Sequence, residues 1–143
     1  SVPGKTITVN FFRLDDVRFV DLPGYGYAKL PDREKMRFAD LMEHYFNSNR
    51  DIRLVVQLVD IRHDPSKDDL NMISFLKESG YDFIVVMTKS DKLNKTQLAE
   101  QTERIKSIVG NFGQDIPVVA VSAVKGDGID EVKTIIESKL QNK

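Results

Sequence analysis

The apolar and polar positions of the chain fall into two regimes. Up to Leu22 they form short strand-like runs, "ITVNFFRL" (Ile7–Leu14) and "VRFVDL" (Val17–Leu22). The polar pair Asp15-Asp16 between them predicts a β-hairpin. Beyond Pro31 the period lengthens. "REKMRFADLMEHYFN" sets Phe38, Leu41, Met42 and Tyr45 on one helical face. "RLVVQLVDI" (Arg53–Ile61) is a near-continuous apolar run, expected of a strand buried on both faces. Ser66 then caps a helix with Asp69 three residues on, a stripe of Leu70, Ile73 and Leu76, and Gly80 as its stop. The unit recurs: "DFIVVMT" reads as a buried strand, and a helix follows over Lys95–Val109, capped by Asn94, with Leu98, Ile105 and Ile108 apolar. "PVVAVSA" is a further strand, and "IDEVKTIIESKL" aligns Ile129, Val132, Ile136 and Leu140.

A hairpin followed by alternating strands and helices means an α/β domain with a mostly parallel sheet, and no linker or low-complexity segment interrupts it. The expectation is one domain over residues 1–143. Ligands of such sheets bind outside the carboxyl ends of the strands. Those ends read Asp21-Leu22-Pro23-Gly24, Asp60-Ile61-Arg62-His63, Thr88-Lys89-Ser90-Asp91 and Ser122-Ala123-Val124-Lys125. Polar or glycine chemistry closes every long strand on one edge, which is the pattern of a site.

Composition narrows what that site can be. Apolar residues make up 41% and charged residues 30%, as in folded globular proteins rather than disordered ones. The absence of cysteine excludes disulfide frameworks and thiolate metal sites and fits a reducing cytoplasm. His44 and His63 are too few and too far apart for a histidine-dominated zinc site. No apolar run approaches the ~18 residues of a membrane span, and the first residues lack a signal-peptide pattern. The net charge of −1 gives no bulk argument for nucleic-acid binding, so an electrostatic partner has to meet a local patch.

Three stretches carry chemistry. In "TKSD" the Lys89 stem suits the flat face of a purine. The Asp91 carboxylate can accept two N–H bonds from guanine, where adenine would offer it an acceptor instead. In "SAVKG" the small pair Ser122-Ala123 lets backbone N–H groups approach a ligand, and Ser122 can steady Asp91. In "DLPG" Asp21 is expected to end a buried strand. An unpaired carboxylate there is costly, and a Mg²⁺ ion reached through water would relieve that cost. Gly24 offers a backbone N–H with no side chain in the way, suited to a terminal phosphate. Taken singly, each stretch also reads as an ordinary turn or helix start. In this order, with a βα unit or more between them, DxxG, TKxD and SAx(K) read as a GTP-binding domain.

"DLPGYGYAKLP" resembles the switch II segment of the EngB (YihA/YsxC) family of bacterial GTP-binding proteins. Three further stretches agree: "PGKT" (Pro3–Thr6) with "TVNFF", "DIRHDPSKDD" (Asp60–Asp69), and "MTKSDKL", with Thr88 where many GTPases carry Asn. The resemblance runs from Ser1 to the C-terminus. It implies a three-layer P-loop-NTPase-type G domain with a mostly parallel sheet and an antiparallel edge hairpin. Guanine would be read by Thr88, Lys89 and Asp91 with Ser122 and Ala123; Mg²⁺ would be served by Thr6 and Asp21, and the γ-phosphate by Gly24. It further implies a GTPase that assists large ribosomal subunit assembly and normal cell division, acting as a cytoplasmic monomer. Tyr25 follows Gly24 where many GTPases have a water-orienting glutamine, so intrinsic hydrolysis is expected to be slow. Tyr25 and Tyr27 also suit packing under a loop. His63 is expected to hold its loop and His44 to be structural. Arg33, Lys35 and Arg37 read as a solvated helix face, with an RNA contact as a second reading.

The sequence departs from that family's pattern in one respect. The phosphate-binding G-x-x-x-x-G-K-[ST] motif is missing, and so is the strand that carries it, which lies between the DLPG strand and the RLVVQLVDI strand. Its removal leaves strand edges unpaired. The expectation is therefore a portion of a longer protein, inactive as it stands. A strand supplied by another chain, or a degenerate relative kept as a nucleotide-independent protein-binding module, are the alternatives. An aspartyl phosphatase using Asp21 is weaker, because Pro23 occupies the place of its second acid.

Overall fold

The computed structural model describes residues 9–22, 24 and 32–141, and the chain divides into two units, Ser1–Asp51 and Ile52–Lys143, taken here in turn. In the first unit β1 (Asn10–Leu14) and β2 (Val17–Asp21) pair antiparallel, with Phe12 opposite Phe19 and Arg13 opposite Arg18. The turn falls on Asp15-Asp16 as expected. Asp15 takes φ 53°, a left-handed conformation that aspartate tolerates, and its carbonyl accepts a 3.0 Å hydrogen bond from Arg13 Nε. The hairpin is shorter than its apolar run: Val9 and Leu22 lie outside the strands, and Ile7 lies outside the described residues.

The reading of Asp21 as the end of a buried strand is corrected. β2 is mostly exposed and so is Asp21, because β1 and β2 pair only with each other and no third strand covers them among the described residues. Helix α1 (Asp32–Phe46) keeps Leu41, Met42 and Tyr45 half-buried as their spacing predicted, but its most buried described residue is Phe46. The Phe38 side chain lies outside the described residues. Arg50 closes the unit, its guanidinium 4.8 Å from the centre of the Tyr45 ring and 5.6 Å from that of Phe11.

The second unit is a parallel sheet in the order β3 (Val55–Asp60), β4 (Phe83–Thr88), β5 (Val118–Ala120). Helices α2 (Lys67–Glu78) and α3 (Lys95–Gly110) are the two crossovers between neighbouring parallel strands. Right-handed connection puts both on one face. Gln57 Nε2 reaches the Asp69 carbonyl of α2 from that face at 3.0 Å. The buried residues Val59, Phe83, Val85 and Met87 alternate onto it, and Ile73 and Leu76 of α2 and Ile105 and Val109 of α3 are fully buried. On the other face Ile84, Val86, Val119 and Val121 meet Ile129, Val132 and Ile135 of α4 (Ile129–Gln141). This is the three-layer arrangement expected. Both crossover helices begin with reciprocal capping boxes, Ser66 with Asp69 and Asn94 with Gln97.

Two strands differ from their sequence reading. β3 is not buried on both faces: Gln57 and Val59 are buried, whereas Val56 is 39% and Leu58 61% exposed. β3 is the edge of its sheet, and β4, flanked on both sides, has five buried residues of six. β5 is three residues long, so Ser122 and Ala123 fall in the turn beyond it.

Candidate guanine-nucleotide site

The carboxyl edge of the parallel sheet collects the polar groups that the strand ends announced. β4 ends at Thr88, whose hydroxyl donates to the Val59 carbonyl at 3.2 Å and ties the end of β4 to β3. Lys89 then takes φ 66°, uncommon for a residue with a side chain, and turns the chain into a short 3₁₀ segment over Ser90–Lys92. The Ser90 N–H donates to the Val121 carbonyl at 3.1 Å, which fixes this turn against the exit of β5. The fully buried Ser122 hydroxyl donates to Asp91 Oδ1 at 2.9 Å, so the expectation that Ser122 steadies Asp91 holds. The same hydroxyl accepts the Lys125 N–H at 3.0 Å. The Ser122 carbonyl accepts from Gly126 N and its N–H donates to the Asp127 carbonyl, at 2.7 and 2.9 Å. Ala123 is exposed beside them. Asp91 is thus a half-buried carboxylate held on one oxygen by a neutral donor, with lone pairs left on both oxygens for a ligand.

Beside this pair lies an ionic group that the motifs did not reveal. Asp60, last in β3, is gripped by Arg62: Nε to Oδ1 at 3.0 Å and Nη2 to Oδ2 at 2.7 Å. Lys89 Nζ donates to Asp60 Oδ2 at 3.1 Å. The Arg62 hydrogen bonds, with lesser help from Lys89, outweigh burial and hold the Asp60 carboxyl well below the usual carboxylate range. Four residues on, Asp64 forms a two-pronged pair with Arg104 of α3, both contacts 2.7 Å, and Gln101 Nε2 adds a donor at 3.3 Å. Arg104 chiefly lowers the Asp64 carboxyl too. The strand-end pattern puts Asp60 and Lys89 on the same sheet edge without pairing them. Missing was the register that sets Asp60 opposite Thr88.

Apart from His63, the other residues singled out lie in the first unit or outside the described residues. Asp21 and Gly24 are exposed. Thr6, the "PGKT" segment, Pro23, Tyr25 and Tyr27 are outside the described residues. Arg33, Arg37, His44 and His63 are exposed, and the His63 main-chain N–H donates to the Asp60 carbonyl at 3.2 Å. Among the described residues no three His, Cys, Asp or Glu side chains gather for a metal, and no helix is long and apolar enough to cross a membrane. A shallow depression of about 330 Å³ lies at the other end of the strands, lined in part by Gly113, Ile116, Pro117 and Val118, away from all these groups.

This fold and edge define a GTP-binding domain, and comparison with known proteins agrees. The family model described as the elongation factor Tu GTP binding domain matches residues 35–142. The chain is 41% identical over 139 residues to the "Probable GTP-binding protein EngB" of Streptococcus sanguinis, covering 96% of this chain and 71% of that protein. To its counterpart in Exiguobacterium sibiricum it is 46% identical over 131 residues, covering 91% and 67%. The chain therefore belongs to the EngB family of GTP-binding proteins. Among solved structures, that of a probable GTP-binding protein engB superposes with a TM-score of 0.72 at 24% identity, over 94% of this chain and 83% of that one. The elongation factor SelB of Methanococcus maripaludis, solved with a GTP analogue, gives 0.68 at 26% identity, over 96% and 29%.

Proposed function

We propose that guanine is read at the β4–β5 edge of this GTP-binding protein by Lys89 and Asp91, with Thr88, Ser122 and Ala123 in support. The observation that carries this reading is the 2.9 Å hydrogen bond from Ser122 to Asp91, which joins two motifs 31 residues apart. The Lys89 stem flanks the purine, the two Asp91 oxygens accept the two N–H groups of guanine, and the exposed turn at Ala123 offers backbone N–H groups to its carbonyl. In the same reading Gly24 senses the γ-phosphate, and Thr6 and Asp21 hold Mg²⁺. Asp21 is an exposed oxygen donor of the kind Mg²⁺ takes through water, so the described part of that set fits the ion. Bound Mg²⁺ would supply charge neutralisation at the phosphates. Hydrolysis in the family sense is then slow without a partner, since Tyr25 cannot polarise water as glutamine does.

Asp91→Asn tests the base site. An amide presents one donor and one acceptor where guanine needs two acceptors, and xanthine has an oxygen to meet that donor. Affinity of the full-length gene product for GDP should fall by on the order of 100-fold and its preference move to XDP. An unchanged preference for GDP removes Asp91 from the site. Membership of the EngB family also supports a role in large ribosomal subunit assembly and, through it, in normal division. Depletion of the protein should leave incomplete large subunits on a sucrose gradient, and a normal ribosome profile would sink that role.

A further inference from the structure

Lys89 carries a long flexible side chain that is more than half exposed. What fixes it is Asp60. That carboxylate ends the neighbouring strand, one register step away, and meets Lys89 Nζ at 3.1 Å. Asp60 is itself immobilised: Arg62 engages both of its oxygens, and the Arg62 N–H donates to Oδ1 at 3.0 Å. The lysine is thus tied to a carboxylate held in place by four hydrogen bonds from Arg62, and the left-handed backbone at Lys89 accommodates that direction. A further consequence concerns Asp91, two residues along. An untethered ammonium is free to pair with Asp91 and cover the acceptor that guanine requires. Drawn toward β3, it leaves Asp91 to Ser122 and to ligand.

We propose that Asp60, held by Arg62, is a positioning residue for purine recognition: it anchors the Lys89 head on the β3 side, so that the stem lies ready beside the base and Asp91 stays uncovered. The inference rests on the reading of Lys89 and Asp91 as the guanine site, and it adds to the TKSD and SAVKG motifs a residue from a third strand end.

The test is a double-mutant cycle on GDP affinity in the full-length gene product, using Asp60→Asn, Lys89→Ala and both together. Asp60→Asn should weaken GDP binding at least fivefold in the native background and have less than a twofold effect once Lys89 is alanine. Independent losses that multiply, or an Asp60→Asn protein within twofold of the native one, overturn the proposal. A purely structural role for Asp60 would show itself as that multiplying loss, together with a lowered melting temperature. If Asp60→Asn does not fold, Arg62→Gln takes its place, and the same disappearance in the Lys89→Ala background is required. Asp91→Asn, measured in parallel with GDP and XDP, separates the two levels. A failed shift toward XDP removes the guanine-site reading and this inference with it. A successful shift without Asp60–Lys89 coupling removes the inference alone.

Discussion

Asp60 ends β3 and Asp64 stands four residues on in the loop that follows, and each is gripped by an arginine through two short contacts. Both carboxyls are lowered by those partners, so both are charged in the fold at pH values where they would begin to protonate in the unfolded chain. Their stabilising contribution is therefore complete above an unfolded carboxylate pKa of about 4, and it is lost as pH falls from there through the folded values. The melting temperature should drop on acidification from pH 7 to pH 3, and the drop should be smaller in Asp60→Asn, which has no proton to take up. Equal acid sensitivity in the two proteins would show that Asp60 gains nothing from Arg62 in the fold. Asp64 faces more solvent than Asp60, with 43% of its side chain exposed against 24%, so its share of the effect is the smaller.

At the scale of the element, the turn from β5 into α4 shows how local geometry serves the site. Gly126 and Gly128 both have positive φ, 83° and 76°, but they differ in their surroundings. Nothing lies near the place a Cβ would occupy on Gly126, whereas one on Gly128 would overlap the Ala120 carbonyl at the end of β5. Gly128 is thus demanded by close backbone approach as well as by φ. Gly126→Ala should cost about 1 kcal/mol, and Gly128→Ala on the order of 2 kcal/mol or more. The second should also weaken GDP binding, because displacing this turn pulls on Ser122, whose N–H bonds the Asp127 carbonyl. Urea unfolding of both variants checks the ranking. A Gly128→Ala protein as stable as the Gly126→Ala one would mean that the turn yields freely.

On the scale of the whole molecule, the outer edge of β3, unpaired among the described residues, dominates. Leu58 and Val56 project from an edge strand with much of their surface in water. An unpaired edge carrying apolar side chains is a template for association. Expressed alone, the 143-residue chain should self-associate, and Leu58→Lys should shift it toward monomer in sedimentation. It should also bind GTP weakly, since the phosphate contacts that supply most affinity in P-loop proteins belong to a motif this sequence does not contain. Tight GTP binding by a monomeric 143-residue chain would contradict both expectations.

The sequence by itself determined the class of fold, because strand and helix periods, capping pairs such as Ser66–Asp69 and Asn94–Gln97, and breakers such as Gly80 act over a few residues. It also determined which strand ends carry chemistry and, through the motif resemblance, the family. Exposure was not legible. The same apolar run predicts a buried strand for β3 and for β4, and only the order of strands in the sheet leaves Leu58 in water while Val86 is covered. Nor could spacing show that Asp60 holds Lys89, 29 residues away, or that Arg104 reaches back 40 residues to Asp64. Those partnerships depend on strand register and helix placement, long-range quantities set by packing. The tertiary structure alone decided which charges meet.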